Sequence, residues 1–317
     1  MVASASPLSG TFDGIRRLED AGVSAVVMPS LFEEEVLHED QTFDYFLSQG
    51  SDQFAEALSY FPSPVQGSSA ADRHLDIIKR ASRDCEIPII ASINGVSKSS
   101  WIDYAGYMVE AGAKGIELNI YFLPVDIHMD GATVENNYLD IVRMVKGAVN
   151  VPVAVKLSPY FSAFANMARR LDDAGANALV LFNRFYQPDF DIESKTLSSN
   201  LELSTPSEIR LPLLWTAVLS GHLKASIAAG TGVQTATEAI KYLLAGADVV
   251  TMASALIKRG PQSATAVIEG IRTWLSDQGQ DSIEGIKGLM NHRSIANPAA
   301  FERANYVRLL KSASYAT

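Results

Sequence analysis

A single cysteine, Cys85, stands in 317 residues, which excludes an internal disulfide, a structural zinc site and an iron–sulfur cluster built from this chain's own thiols. Histidine is nearly as scarce, with five copies and no pair at metal-ligand spacing, so no metal site is expected. No run of about 18 uninterrupted apolar residues occurs, so no membrane span is expected. The opening Met1-Val2-Ala3-Ser4-Ala5-Ser6 lacks the basic-then-apolar order of a signal peptide. Positive charge is in deficit too: 26 Lys and Arg against 36 Asp and Glu leave a formal charge of −10. That balance argues against nucleic acid or acidic lipid as a partner. What is present is core material, with 47% hydrophobic residues and 20% charged ones. These features together predict a cytoplasmic globular enzyme.

A phrase recurs along the chain. It reads Asp20-Ala-Gly-Val-Ser-Ala-Val-Val-Met28, then Glu110-Ala-Gly-Ala-Lys-Gly-Ile-Glu-Leu-Asn119, then Asp173-Ala-Gly-Ala-Asn-Ala-Leu-Val-Leu-Phe182 and Leu244-Ala-Gly-Ala-Asp-Val-Val-Thr-Met252. Each copy ends a helical stretch at a glycine (Gly22, Gly112, Gly175, Gly246) and continues as a short apolar run. Glycine suits the left-handed position after a helix, and the run suits a strand buried on both faces. A second phrase falls between the copies at Ile87–Ile93, Val151–Leu157 and Lys224–Ala229, with Val2–Ala5 as an opening strand. Helical patterns near 10–21, 71–84, 98–111, 135–148, 163–174, 207–222, 235–245 and 262–277 fill the gaps. Eight alternating units predict an α/β fold, a (β/α)₈ TIM barrel, as one domain over residues 1–317. Residues 29–70 read as a long loop after strand 2, and 278–317 as a C-terminal helical tail with Phe301, Ala304, Val307 and Leu310 at helical spacing.

In such a barrel, chemistry is carried at the C-terminal ends of the strands. Strand 7 ends in Ala229-Gly230-Thr231-Gly232 and strand 8 in Ala253-Ser254. Small residues there let backbone N–H groups approach a phosphate. Lys156 ends a strand otherwise made of Val151, Pro152, Val153, Ala154 and Val155, so its ammonium is expected at the mouth. It could form a Schiff base, bind a substrate anion or stabilise charge on a cofactor ring. Asn94, Asn119 and Asn183 end strands around it and can donate or accept toward a substrate without adding charge. Cys85 precedes strand 3, on the opposite face, and His128 lies in a connection on the active face.

These residues resemble the dihydroorotate dehydrogenase family in its soluble FMN-barrel class, over nearly the whole chain. The resemblance rests on Ala3-Ser-Ala-Ser6, Ser92-Ile-Asn-Gly95, Glu117-Leu-Asn119, Val155-Lys-Leu-Ser-Pro-Tyr-Phe161, Ile209-Arg210, Gly230-Thr-Gly232 and Ser254-Ala-Leu256 with Gly260-Pro261. It implies FMN across the mouth, with Gly230, Thr231, Gly232, Ala253 and Ser254 at the phosphate and Ser4, Ala5 and Ser6 against the ring system. It further implies that Lys156 stabilises negative charge near flavin N1 and O2, and that Asn119 and Asn183 address the substrate. The family reaction takes a proton from C5 of dihydroorotate and passes a hydride from C6 to the flavin, giving orotate.

The departures fall on the substrate side. Phe122 stands where the family has a Cys or Ser base, and Pro29 where it has a lysine after strand 2. The family's substrate loop is not recognisable in Ser59-Tyr-Phe-Pro-Ser63, and the sequence begins inside strand 1, where the resemblance implies a preceding segment. Tyr121, next to the lost position, and His128 or Asp126 further along are the candidate substitutes for the base. The expectation is therefore an FMN oxidoreductase of this family whose substrate differs from dihydroorotate or is turned over slowly. A Schiff-base lyase using Lys156 on a phosphorylated substrate, and a non-catalytic flavin subunit of a redox complex, stay open as alternatives. The sequence names no electron acceptor and leaves a homodimer open.

Overall fold

The recurring phrase becomes geometry at its glycines. In the computed structural model, which describes residues 1–34, 69–95, 98–184, 187–198, 202–301 and 311, Gly22, Gly112, Gly175 and Gly246 have φ of 86°, 111°, 102° and 104°. Each turns the chain out of a helix and into a strand. The elements of the first half are β1 (Val2–Ala3), α1 (Phe12–Asp20), β2 (Ala25–Phe32), α2 (Ala70–Asp84), β3 (Ile89–Asn94), α3 (Lys98–Glu110), β4 (Gly115–Asn119), α4 (Gly131–Ala148) and β5 (Val153–Leu157). The second half has α5 (Phe164–Asp173), β6 (Ala178–Leu181), β7 (Asp189–Asp191), β8 (Thr196–Ser198), α6 (Arg210–Leu219), β9 (Ser226–Ala229), α7 (Ala236–Ala245), β10 (Val249–Met252), α8 (Ser254–Arg259) and α9 (Gln262–Asp277).

Eight strands close a barrel in the order β1-β10-β9-β6-β5-β4-β3-β2, and every neighbouring pair in it is parallel. This is the (β/α)₈ barrel that the alternation predicts. The helices cover it with amphipathic faces. Phe164, Met167, Ala168 and Leu171 of α5 are buried at i, i+3, i+4 and i+7. Thr11 caps α1 by accepting from the Gly14 N–H, and Ser69 and Asp72 form a capping box at the start of α2. Along β5, Val153, Val155 and Leu157 are fully buried, while Ala154 and Lys156 between them point into the lumen.

Several bounds differ from the reading of the sequence. Strand 2 does not stop near Met28 but runs to Phe32, with a register shift against β3 between Val27 and Ser30. One extra residue on β2 there is a bulge, and it is seated at Pro29, whose missing N–H a regular ladder would not tolerate. The bulge reverses the alternation. Ser30 pairs with Ser92 and so faces the lumen, where an unbroken strand would have turned it toward the helices. The expected long loop after β2 therefore begins later, and residues 35–68, with Ser59–Ser63 among them, lie outside the described residues. In the C-terminal tail, 278–301 forms only the 3-10 turns Ile283–Gly285 and Pro298–Phe301, while Ala304, Val307 and Leu310 lie outside the described residues. The antiparallel pair β7 and β8 was not expected; strands of three exposed or half-exposed residues carry no burial alternation to read. Among the described residues no helix is long and apolar enough to cross a membrane.

His74, in α2, has a buried Nε2 without a hydrogen-bond partner among the described residues, and burial pushes its pKa down to about 4. The folded chain thus holds a neutral imidazole below the pH at which an unfolded chain, near the usual 6.5, takes up a proton. Stability from this group is complete above about pH 6.5 and is lost as pH falls toward 4, by at most about 3 kcal/mol. Denaturant unfolding of wild type and His74→Leu from pH 7 to pH 4 checks this. The variant is expected to lose much of the acid-side slope, and identical slopes would overturn the assignment.

Candidate active site

Placing a carboxylate inside a barrel demands a partner for it, and Glu117 has one in Lys156. Glu117 Oε1 accepts from Lys156 Nζ at 3.2 Å, with side-chain exposures of 3% and 12%. The register of β4 on β5 sets Asn119 beside Lys156 and Glu117 beside Ala154, so both polar residues of β4 face the lumen with the lysine. Ser92 Oγ reaches Glu117 Oε1 at 3.5 Å and Ser30 Oγ at 2.8 Å. Asn119 Nδ2 donates to Ser30 Oγ at 2.9 Å, and Asn183 Nδ2 donates to Asn119 Oδ1 at 2.6 Å. Side chains from β2, β3, β4, β5 and the turn after β6 are thereby joined across the mouth.

Of the predicted site residues, Lys156, Asn119 and Asn183 come together in this way. Asn94 lies two residues beyond Ser92 on the same face of β3, buried and in register with Phe32. Tyr121 is half-buried just past β4, and its N–H donates to Asn119 O. His128 and Asp126 lie in the exposed run 123–130, where the His128 N–H donates to Asp126 Oδ1 at 2.9 Å. Phe122 is packed against the hydrophobic core. Among the described residues no group of three His, Cys, Asp or Glu could hold a metal ion. Cys85 caps the end of α2, on the face opposite the strand ends.

The turn after β9 packs its glycines tightly against neighbouring segments. A Cβ on Gly230 would lie 2.3 Å from Thr251 Oγ1, and one on Gly232 would lie 2.8 Å from Thr205 O. Thr231 and Gly232 have φ of 69° and 75°, a costly region for a β-branched threonine. The turn is held there by Tyr242, whose buried hydroxyl meets the carbonyls of Gly230 and Thr231. Burial pushes that phenol's pKa up, and the nearby Glu238 charge adds to the effect. On the N–H side of the turn, the Gly232 N–H goes to Ser204 Oγ. Gly230 has its own N–H committed to Leu181 O in the ladder. Its contribution is the missing Cβ.

Ser204 completes this corner and was missed by sequence reasoning. The Gly232 N–H donates to Ser204 Oγ at 3.2 Å, and Ser254 Oγ accepts from both Ser204 N at 3.0 Å and Ser204 Oγ at 2.8 Å. Groups from the ends of β9 and β10 thus converge on one oxygen. Ala253 stands between β10 and α8, immediately before Ser254. On the far side of β10, Ser4 and Ala5 follow β1, and Ser6 is 6% exposed with a hydroxyl that has no hydrogen-bond partner among the described residues. A cavity of about 350 Å³ opens beside Asn183, lined also by Tyr160, Arg184, Glu208, Arg210 and Thr231, with Arg184 paired to Glu208 at 2.9 Å.

The Lys156–Glu117 pair makes a direct energetic prediction. Lys156→Met alone leaves a buried carboxylate without its cation and is expected to cost about 3–5 kcal/mol, while Lys156→Met with Glu117→Leu recovers most of that loss. Urea unfolding of the single and double variants measures it. Additive losses would show that the two charges are not coupled.

Comparison with known proteins gives three findings. The family model described as dihydroorotate dehydrogenase matches residues 63–275. A protein of Aeropyrum pernix named as a dihydroorotate dehydrogenase A (fumarate) is 29% identical over 221 residues, 67% of this chain and 70% of that protein. The catalytic subunits of dihydroorotate dehydrogenase B (NAD(+)) from Methanothermobacter thermautotrophicus and Thermoplasma volcanium are 28% and 29% identical over 214 and 223 residues, covering 65% and 68% of this chain and 70% and 71% of theirs.

Proposed function

The chain belongs to the dihydroorotate dehydrogenase family, and on that premise we propose that it is an FMN oxidoreductase whose substrate sits against Asn119 and Asn183 at the barrel mouth. The observation that carries the cofactor assignment is the corner in which Gly232, Ser204 and Ser254 meet at the ends of β9 and β10. The Gly232 N–H and the hydroxyls of Ser204 and Ser254, which satisfy one another here, are groups that can turn to a phosphate. The residues therefore fit FMN: Gly230, Thr231, Gly232, Ser204, Ala253 and Ser254 at the phosphate, and Ser4, Ala5 and Ser6 along the ring system.

When bound, FMN supplies the hydride acceptor. Lys156 supplies fixed positive charge for the N1 and O2 edge, held in place by Glu117 rather than by water. Asn119 and Asn183 bind and orient the substrate without charge. Phe122 cannot take a proton, and its packing against the core leaves no side-chain acceptor at that position. General base catalysis contributes about 10²–10⁴-fold, so this chain is expected to turn over dihydroorotate poorly and to serve a different substrate. Among the alternatives, a Schiff-base lyase needs a free amine, whereas Lys156 is engaged as the cation of a buried pair. The relatives named as catalytic subunits favour a second reading, in which this chain works with a partner that carries electrons onward. Those names divide between fumarate and NAD(+), so the acceptor is left to assay with both.

Purified protein is expected to show a flavin absorption band whose extracted chromophore is FMN, or to take up added FMN. Protein that does neither overturns the reading. In anaerobic stopped-flow, dihydroorotate is expected to bleach the flavin slowly, and Phe122→Cys or Phe122→Ser to raise the rate by about ten-fold or more, toward the range of general base catalysis. Fast bleaching of the wild-type protein would oblige a search for the proton acceptor at Tyr121, Asp126 and His128.

A further inference from the structure

An ionised carboxylate has no proton to give, and that fact orders the whole chain of contacts across the mouth. Glu117 accepts from Lys156 Nζ at 3.2 Å and from Ser92 Oγ at 3.5 Å. Ser92, fully buried, has one hydroxyl proton, and directing it at Glu117 leaves only its oxygen for Ser30. The 2.8 Å contact between the two serines can run either way by its heavy atoms, and with the Ser92 proton on Glu117, Ser30 becomes its donor. Its own oxygen is then an acceptor, and Asn119 Nδ2 donates to it at 2.9 Å. Asn119 Oδ1 in turn accepts from Asn183 Nδ2 at 2.6 Å. Every link points the same way, toward Glu117.

A flipped Asn119 amide would break two links together. Its oxygen would face a Ser30 hydroxyl whose proton is committed to Ser92, and its NH₂ would face the NH₂ of Asn183. Two mismatched contacts in a half-buried site cost far more than thermal energy. The orientation of both amides, which packing alone does not distinguish, is set by a charge at the far end of the chain.

We propose that Ser30 and Ser92 are positioning residues that transmit the polarity of Glu117 to Asn119 and Asn183. The result is a mouth that presents Asn183 Oδ1 as its fixed acceptor, with the remaining N–H of each amide as donors. Ser30 can take this part only because the bulge at Pro29 turns it into the lumen. The proposal rests on the reading above for what the two amides address, but the polarity itself needs neither flavin nor substrate.

The test reads the side-chain amide ¹H–¹⁵N signals of Asn119 and Asn183 in the full-length protein, assigned with Asn119→Asp and Asn183→Asp. Ser92→Ala touches neither amide, yet it is expected to displace or double both signals while other asparagine signals stay in place. Ser30→Ala is expected to do the same, and Ser30→Thr, which keeps the hydroxyl, to restore the wild-type positions. Unmoved signals in Ser92→Ala, or a Ser30→Thr spectrum as altered as that of Ser30→Ala, would overturn the proposal. Should Ser92→Ala not fold, the comparison of the two Ser30 variants decides alone. Flavin content, read by absorbance on the same samples, separates the two failures. Shifts in protein that neither carries nor takes up FMN keep the positioning role and sink the FMN reading, and FMN without shifts does the reverse.

Discussion

The barrel carries a negative charge in its lumen, and much of the mouth is arranged to satisfy it. Glu117 is 3% exposed at its side chain, and a carboxylate buried to that degree needs donors. Lys156 and Ser92 supply them from the two flanking strands, β5 and β3. The register brings them to the same face of the sheet, with Ser92 beside Glu117 and Lys156 beside Asn119, and closure turns that face inward. An open sheet would give Glu117 the same registers but leave one face of the cluster to water. The ion pair fixes the lysine, and the serines carry the constraint on to the asparagines. The polar layer is thus one connected object rather than a collection of independent residues.

How much of this could be read beforehand follows from where the information is local. The barrel was legible because each repeat states its own helix end and buried strand, as in Ala245-Gly246-Ala247 leading into Val249–Met252. Lys156 was legible because one polar residue interrupts an apolar run, and its position within the run gives its end of the strand. The role of Glu117 was not, although it stood in a quoted motif: its partner is 39 residues away and is chosen by register. Ser30 was hidden more deeply. Counting alternation from Met28 turns it away from the lumen, and only the bulge at Pro29 brings it back. Ser204 lies in an irregular stretch, and its importance arises from contacts with Gly232 and Ser254, 28 and 50 residues further on.

The same proline that reads as a loss against the family pattern has a structural use. Proline in a barrel strand is tolerated where the ladder is already interrupted, and here the interruption changes which neighbour looks inward. A side chain facing solvent or helix at position 30 would leave Asn119 Nδ2 and Ser92 Oγ without their shared partner. Pro29 and Ser30 thus act as a unit, in which the first residue supplies the backbone irregularity and the second uses it. Replacing a long cation by this pair exchanges a point charge at the mouth for a hydroxyl wired to Glu117.

The two sides of the site have consequently been built on different principles. On the β9 and β10 side, Ser204, Gly232 and Ser254 satisfy one another, and Tyr242 holds the turn they depend on. Such a corner keeps its shape through its own contacts, and the phosphate proposed for it would replace one serine hydroxyl as the shared partner, a small reorganisation. On the β2 to β6 side, satisfaction is directional. The chain from Asn183 to Glu117 has no slack in it, since each hydroxyl or amide already uses the group that its neighbour requires. A ligand there has to match the orientation that it finds, because turning one amide around would break contacts on both of its sides. Tolerance in the first corner and stringency in the second is the division expected of a site that holds a common cofactor by its phosphate and selects its substrate by hydrogen-bond pattern.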